Sequence, residues 1–192
     1  KVLVLGNEEP AGDYWLRFIQ ALSGRTKGEV LGNYHEAKTL ALKRGLNNIT
    51  IVTAAPGTKR QIDGLMEKYR PNVLIIDQLR NIDVGRVESR TNQLEAAAIY
   101  ARNTAIRYHC AIISITQAGD SASGKAVLDM NDIDGSKTGI PATADLMIGI
   151  GADAQAEAEG FRILSLCKNK LTAQHESFPV RANIPLSRYN DA

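Results

Sequence analysis

The sequence predicts an α/β fold: a mostly parallel sheet with helices on both faces and an antiparallel extension toward the C-terminus. Three observations carry this. Short apolar runs, "KVLVL", "NITIVT", "VLIID" and "CAIISIT", alternate with longer segments of helical periodicity. The runs are continuously apolar rather than alternating, which marks strands covered on both faces. After residue 117 the texture changes to a polar loop, then to three strand-like segments with no helix between them, the pattern of antiparallel neighbours.

The elements follow in order. Residues 1–5 make a short buried strand. In "AGDYWLRFIQALSG", Trp15, Phe18, Ile19 and Leu22 recur at i, i+3, i+4 and i+7, one apolar helix face. "NYHEAKTLALKRG" opens on an Asn33 cap with Glu36 three residues later and closes on Gly45. "NITIVT" is a strand. "TKRQIDGLMEKYRP" is a helix with a Thr58/Gln61 capping box, a stripe of Ile62, Leu65, Met66 and Tyr69, and a stop at Pro71. Strand 73–77 comes next, then a helix from about Ser89 to His109 carrying Leu94, Ala97, Ala98, Ala101 and Ala105. Strand 110–116 leads into "QAGDSASGKAVLDMNDIDGSKTG". "DLMIGIG", "FRILSLC" and "SFPVRANI" are the closing strands.

A length of 192 residues fits a single domain, 1–192, with ample material for a core. Its 44% apolar and 23% charged content are globular averages. A net charge of +2 neither demands nor forbids a nucleic-acid partner. Cys110 and Cys167 lie beside apolar runs and read as small buried residues of a reducing compartment, not as a disulfide or metal pair. The three histidines show no ligand spacing. With no apolar run of membrane length and no signal peptide, a soluble, cytoplasmic protein is expected. The chain opens at Lys1 inside an apolar run, so a piece of something longer is expected.

Ligands of open parallel sheets bind at the carboxyl ends of the strands. Three strands here end in polar groups: Asn7, Glu8 and Glu9 after the first, Asp77 on the third, Gln117 after the fourth. Each has a plain reading. Asp77 serves equally as a cap, Glu8 and Glu9 as helix-start charge, Gln117 as a partner for a loop carbonyl. Together they suit a phosphate and magnesium site. Asp77 holds the metal's water shell, because Mg²⁺ keeps several waters. Glu8 polarises an attacking water. Gln117 senses a terminal phosphate, since its amide donates and accepts.

"LGNEEP", "VLIIDQL", "IISITQAG", "DIDGSKTGIPATADLMIGIG" and "ILSLCKNK", in this order, resemble the RecA-like ATPase domain of DnaB-type hexameric replicative helicases, including bacteriophage primase-helicases. The resemblance covers nearly the whole chain. It implies a RecA-like P-loop NTPase core using ATP and Mg²⁺, with Glu8 as the hydrolytic glutamate, Asp77 as the Walker B aspartate and metal residue, and Gln117 as the link from γ-phosphate to the DNA loop. It also implies single-stranded DNA and a primase domain or protein as partners, and a homohexameric ring.

The sequence departs from that family in three places. The GxxxxGK[ST] loop is expected upstream of Lys1. "GDSASGKA" matches GxxxxGK but has Ala126 where the metal-binding hydroxyl belongs, and "VLDMNDIDG" is too short and polar for a phosphate-binding helix. It reads instead as a mobile loop with Lys125 for phosphate. In the family, this loop and the segment near "DIDGSKTG" hold the DNA backbone. Asp134 stands where an arginine is common, so contacts fall to Lys125, Gly135, Ser136 and Lys137, with Arg86 and Arg90 as further candidates. These also read as ordinary solvated loop charges. In "CKNK", Lys168 matches the family's lysine, and Lys170 replaces the arginine that reaches a neighbour's nucleotide. That keeps charge but loses the bidentate fork. Without a P-loop strand an exposed apolar edge is expected. Two rival readings remain: a RecA- or KaiC-like ATPase that does not unwind DNA, and a non-catalytic DNA- or partner-binding module.

Overall fold

The computed structural model describes residues 1–135 and 138–192. The chain divides into two compact units. The first is Lys1–Gly85, Asn103–Ile115 and Ile184–Arg188; the second is Arg86–Arg102, Thr116–Asn183 and Tyr189–Ala192. Among the described residues no helix is long and apolar enough to cross a membrane.

The first unit follows the predicted order closely. It contains β1 (Val2–Gly6), α1 (Ala11–Ser23), α2 (Lys27–Gly32), α3 (Tyr34–Lys43), β2 (Ile49–Thr53), β3 (Gly57–Thr58), α4 (Lys59–Tyr69), β4 (Val73–Asp77) and β5 (Ile82–Asp83). Helix α5 (Arg90–Tyr108) begins in the second unit and returns the chain to the first, where β6 (Ala111–Ile115) follows. The four main strands form a sheet in the order β2-β1-β4-β6, and every pair is parallel. In β1, Leu3, Val4 and Leu5 are all buried, as a central strand requires. Each such side chain contributes about 1.5–3 kcal/mol relative to exposure. At the edge, β6 leaves Ile113 and Ile115 exposed.

Local signals set the helix starts. Thr58 and Gln61 form the predicted capping box on α4, and Asn33 accepts from the Glu36 amide at the head of α3. Such a cap is worth about 1 kcal/mol. Helix α2 has no counterpart among the predicted elements, although Thr26 and Glu29 give it a complete capping box; its six residues are too few to show a period. The predicted α1 stripe packs as one face. Ile19 is buried with Val30, Ala37, Ala41 and Leu46, and Trp15, Phe18 and Leu22 pack partly buried against them. Tyr14, outside that stripe, is buried outright.

The second unit adds α6 (Gly139–Thr143), β7 (Leu146–Gly151), α7 (Ala154–Ala158), β8 (Phe161–Asn169), β9 (Ser177–Asn183) and β10 (Arg188–Asp191). The antiparallel C-terminal strands are present, and with β10 they form a sheet ordered β10-β9-β8-β7. Helix α7 corrects the expectation of no helix between these strands: Asp153 caps it by accepting from the Ala156 amide, and it lasts five residues.

The described part of the polar loop after residue 117, 118–135, is braced by its own backbone. An antiparallel bridge between Ala118 and Ile133 closes its base. The Gly119 amide donates to the Asp132 carbonyl at 2.7 Å, and the Asp134 amide to the Gln117 carbonyl at 3.1 Å. The loop backbone passes directly over β7: a Cβ on Gly151 would collide with the Ala126 carbonyl oxygen. The last glycine of "IGIG" therefore belongs to this approach. Among the described residues no α-helix directly follows Lys125, only a 3-10 turn at Met130–Asp132, so "GDSASGKA" lacks the architecture of a phosphate loop.

Candidate active site

Strands β1 and β4 end side by side, with Gly6 paired to Asp77. Asn7 extends this ladder by one rung. Its amide donates to the Asp77 carbonyl at 2.8 Å. Its side chain then takes both backbone groups of Gln78: Nδ2 donates to the Gln78 carbonyl at 2.8 Å, and Oδ1 accepts from the Gln78 amide. Asn7 is only 4% exposed, so these bonds satisfy an amide that would otherwise be costly to bury. The clamp sets Glu8 beside Gln78, whose Nε2 donates to Glu8 Oε2 at 2.7 Å.

Asp77 is held by Tyr14. The phenol donates to Asp77 Oδ2 at 3.1 Å and lies 3.4 Å from the Asp77 carbonyl oxygen. Burial pushes the Tyr14 hydroxyl up to about 12, and the neighbouring Asp77 charge adds to it. Burial likewise raises the Asp77 carboxyl above its usual range. The Tyr14 hydrogen bond opposes that rise, while Glu8 and Glu9 reinforce it. Tyr14 reaches this place because residue 6 is glycine: a Cβ there would collide with the edge of the Tyr14 ring. Glu9 turns away to Arg17, with Oε2 2.7 Å from Nη1.

This rim therefore carries three carboxylates, Glu8, Glu9 and Asp77, with Arg17 engaged by Glu9. Glu8 is exposed and Asp77 is half-buried. Among the described residues no three His, Cys, Asp or Glu side chains converge as direct metal ligands. A cation here would rest on one or two carboxylates and keep most of its water, which fits Mg²⁺.

The remaining predicted residues lie in the second unit. Gln117 is exposed, two residues past the end of β6, where Ile115 pairs with Asp77. Lys125 is already engaged: its Nζ stands 2.8 Å from Asp132 Oδ1, and the Asp132 side chain is 2% exposed. Lys125 is the main cause holding the Asp132 carboxyl down to about 2. Lys125 thus neutralises a buried carboxylate, which needs a cation, while its own side chain stays 44% exposed. Gly135 is exposed with φ +86°, and its carbonyl accepts from Thr91 Oγ1 at 3.3 Å. Arg86 is exposed ahead of α5. Arg90 pairs with Asp134 at 3.3 Å, so a guanidinium does reach that position, from another element. Ser136 and Lys137 lie outside the described residues.

Lys168 and Lys170 stand at the end of β8. Lys168 Nζ donates to the Pro141 carbonyl. Burial lowers its pKa, and the adjacent Lys170 charge lowers it further. Lys170 Nζ is 3.5 Å from Asp145 Oδ1, and Arg102 Nη1 is 3.2 Å from the same oxygen. Two cations thus share one carboxylate. No motif marks Arg102, because α5 presents it to Asp145 from 43 residues away. Tyr14 and Gln78 go unmarked for a related reason: their partners Asp77 and Glu8 lie 63 and 70 residues away, and Asn7, marked as a polar strand end, meets its partner Gln78 across 71 residues.

No protein-family model matches the chain, and no curated protein matches its sequence. Solved structures do match its fold. One is a DnaB-like replicative helicase studied with its primase interactions, at TM-score 0.84 and 14% identity, covering all of this chain and 51% of that one. Another is a solved ATPase domain, at TM-score 0.82 and 15% identity, covering all of this chain and 74% of that one. The chain spans about half the length of the first. The fold is therefore that of the ATPase domain of DnaB-like replicative helicases, as the motif order predicts.

Proposed function

We propose that this chain is the ATPase core of a ring-forming replicative DNA helicase, in which both units belong to one domain. The observation that carries the reading is the placement of Glu8 and Asp77 at the carboxyl ends of adjacent parallel strands, in a fold shared with helicase ATPase domains. Glu8, exposed beyond the strand end, accepts a proton from the attacking water as it approaches the γ-phosphate. Asp77, steadied by Tyr14, takes the water shell of the metal. Bound Mg²⁺ would neutralise charge on the phosphates. Gln117 reads the terminal phosphate. Lys168 and Lys170 act on a neighbouring subunit's nucleotide, and Arg102 offers the planar fork that lysine lacks.

The DNA-facing set is Arg86, Lys125, Gly135, Ser136 and Lys137, contacting single-stranded DNA through phosphate. Since Lys125 already serves Asp132, more of this duty falls on Arg86, Lys137 and backbone amides. A homohexamer working with a primase is the assembly in view, by analogy with the structural neighbour studied with primase.

The test is Glu8→Gln in the complete protein. ATP binding is retained and hydrolysis lost, because only the polarising carboxylate is removed. Unchanged turnover would end the assignment.

A further inference from the structure

We infer that Gln78 is the positioning residue for Glu8, holding its carboxylate in one orientation through Nε2. The inference rests on Glu8 being the group that polarises water. Gln78 is 6% exposed, so its side chain occupies a place where an apolar residue would pack without a polar penalty. Its Oε1 is buried with no partner among the described residues. Half of the amide is thus left unsatisfied, while the other half makes a 2.7 Å bond to Glu8 Oε2. The reverse amide orientation would set two acceptor oxygens against each other. The one bond that explains a glutamine here is the one to Glu8.

The backbone supports the same role. Asn7 grips Gln78 at both its amide and its carbonyl. Residue 78 therefore cannot shift without breaking the rung that joins the two strand ends, and its side chain starts from a determined point. Glu8, by contrast, is exposed and follows the last residue of that rung. An exposed glutamate samples many rotamers. A single strong donor from a buried, backbone-clamped neighbour selects one of them. General-base catalysis depends on that selection, since a small misplacement of the reacting groups costs orders of magnitude in rate.

Two measurements test this. In the chain itself, the Gln78 side-chain amide resonance is followed by ¹⁵N NMR. Glu8→Gln should move it, because the acceptor changes from carboxylate to amide, whereas Glu9→Gln should leave it in place. In the complete protein, Gln78→Met keeps the volume and removes the donor. Its kcat should fall about 10- to 100-fold with KM for ATP unchanged. A Gln78 resonance indifferent to Glu8→Gln overturns the inference, whether or not the methionine variant folds. So does a folded Gln78→Met protein with wild-type kcat while Glu8→Gln is inactive. If Glu8→Gln itself hydrolyses ATP normally, the reading of Glu8 as the base fails first, and the inference falls with it.

Discussion

Replacing Tyr14 by phenylalanine isolates one interaction of the rim. The ring stays, so the packing against Gly6 is kept, and only the hydroxyl that donates to Asp77 is lost. A hydrogen bond to a charged partner is worth about 1.5–3 kcal/mol. At 3.1 Å this one belongs at the weak end, so we expect a loss of about 1.5 kcal/mol at neutral pH. For a chain of 192 residues that corresponds to a fall in Tm of roughly 3–6 °C. The pH dependence has a definite sign. The phenol favours the ionised form of Asp77 and opposes the upward push of burial. Without it the Asp77 carboxyl rises further. The wild-type advantage is therefore fully present above the variant's raised Asp77 value and shrinks as pH falls through it. Urea unfolding followed by Trp15 fluorescence, at neutral pH and again near about pH 3, measures both effects. Gly6→Ala is the companion variant: its new methyl displaces the Tyr14 ring and should weaken the same bond. An equal stability gap for Tyr14→Phe at both pH values, or no gap at neutral pH, would refute this account of Asp77.

Two further outcomes are expected. Lys125→Ala removes the main cause of the low Asp132 pKa, which is about 2. The pair stabilises the loop above the ordinary carboxylate range and loses that effect as pH falls toward about 2, so the variant should be cleaved faster by protease between Gly119 and Gly135 at neutral pH; an unchanged cleavage rate would show that the bridge at Ala118 and Ile133 suffices. Arg102→Ala should lower ATP turnover about 10-fold or more in the assembled protein, and Arg102→Ala with Lys170→Ala should lower it further than either alone; wild-type turnover in Arg102→Ala would return that guanidinium to the single duty of pairing with Asp145.

Features that depend on neighbours along the chain are legible in the sequence. The Thr58/Gln61 and Asn33/Glu36 caps are three-residue signals, and both operate in the structure as read. The continuous apolar runs mark the parallel strands, and their polar ends mark Glu8 and Asp77 as candidates. Contacts between distant segments emerge only with the fold. Tyr14 meets Asp77 across 63 residues, Asn7 meets Gln78 across 71, and Arg102 meets Asp145 across 43. No periodicity reports such meetings, because they follow from which strands lie side by side and from where a glycine lets a ring pass. Lys125 shows the same limit from the other direction. Its surroundings, rich in Gly, Ser and Asp, spell a loose loop, yet the fold buries Asp132 and a buried carboxylate claims the nearest cation.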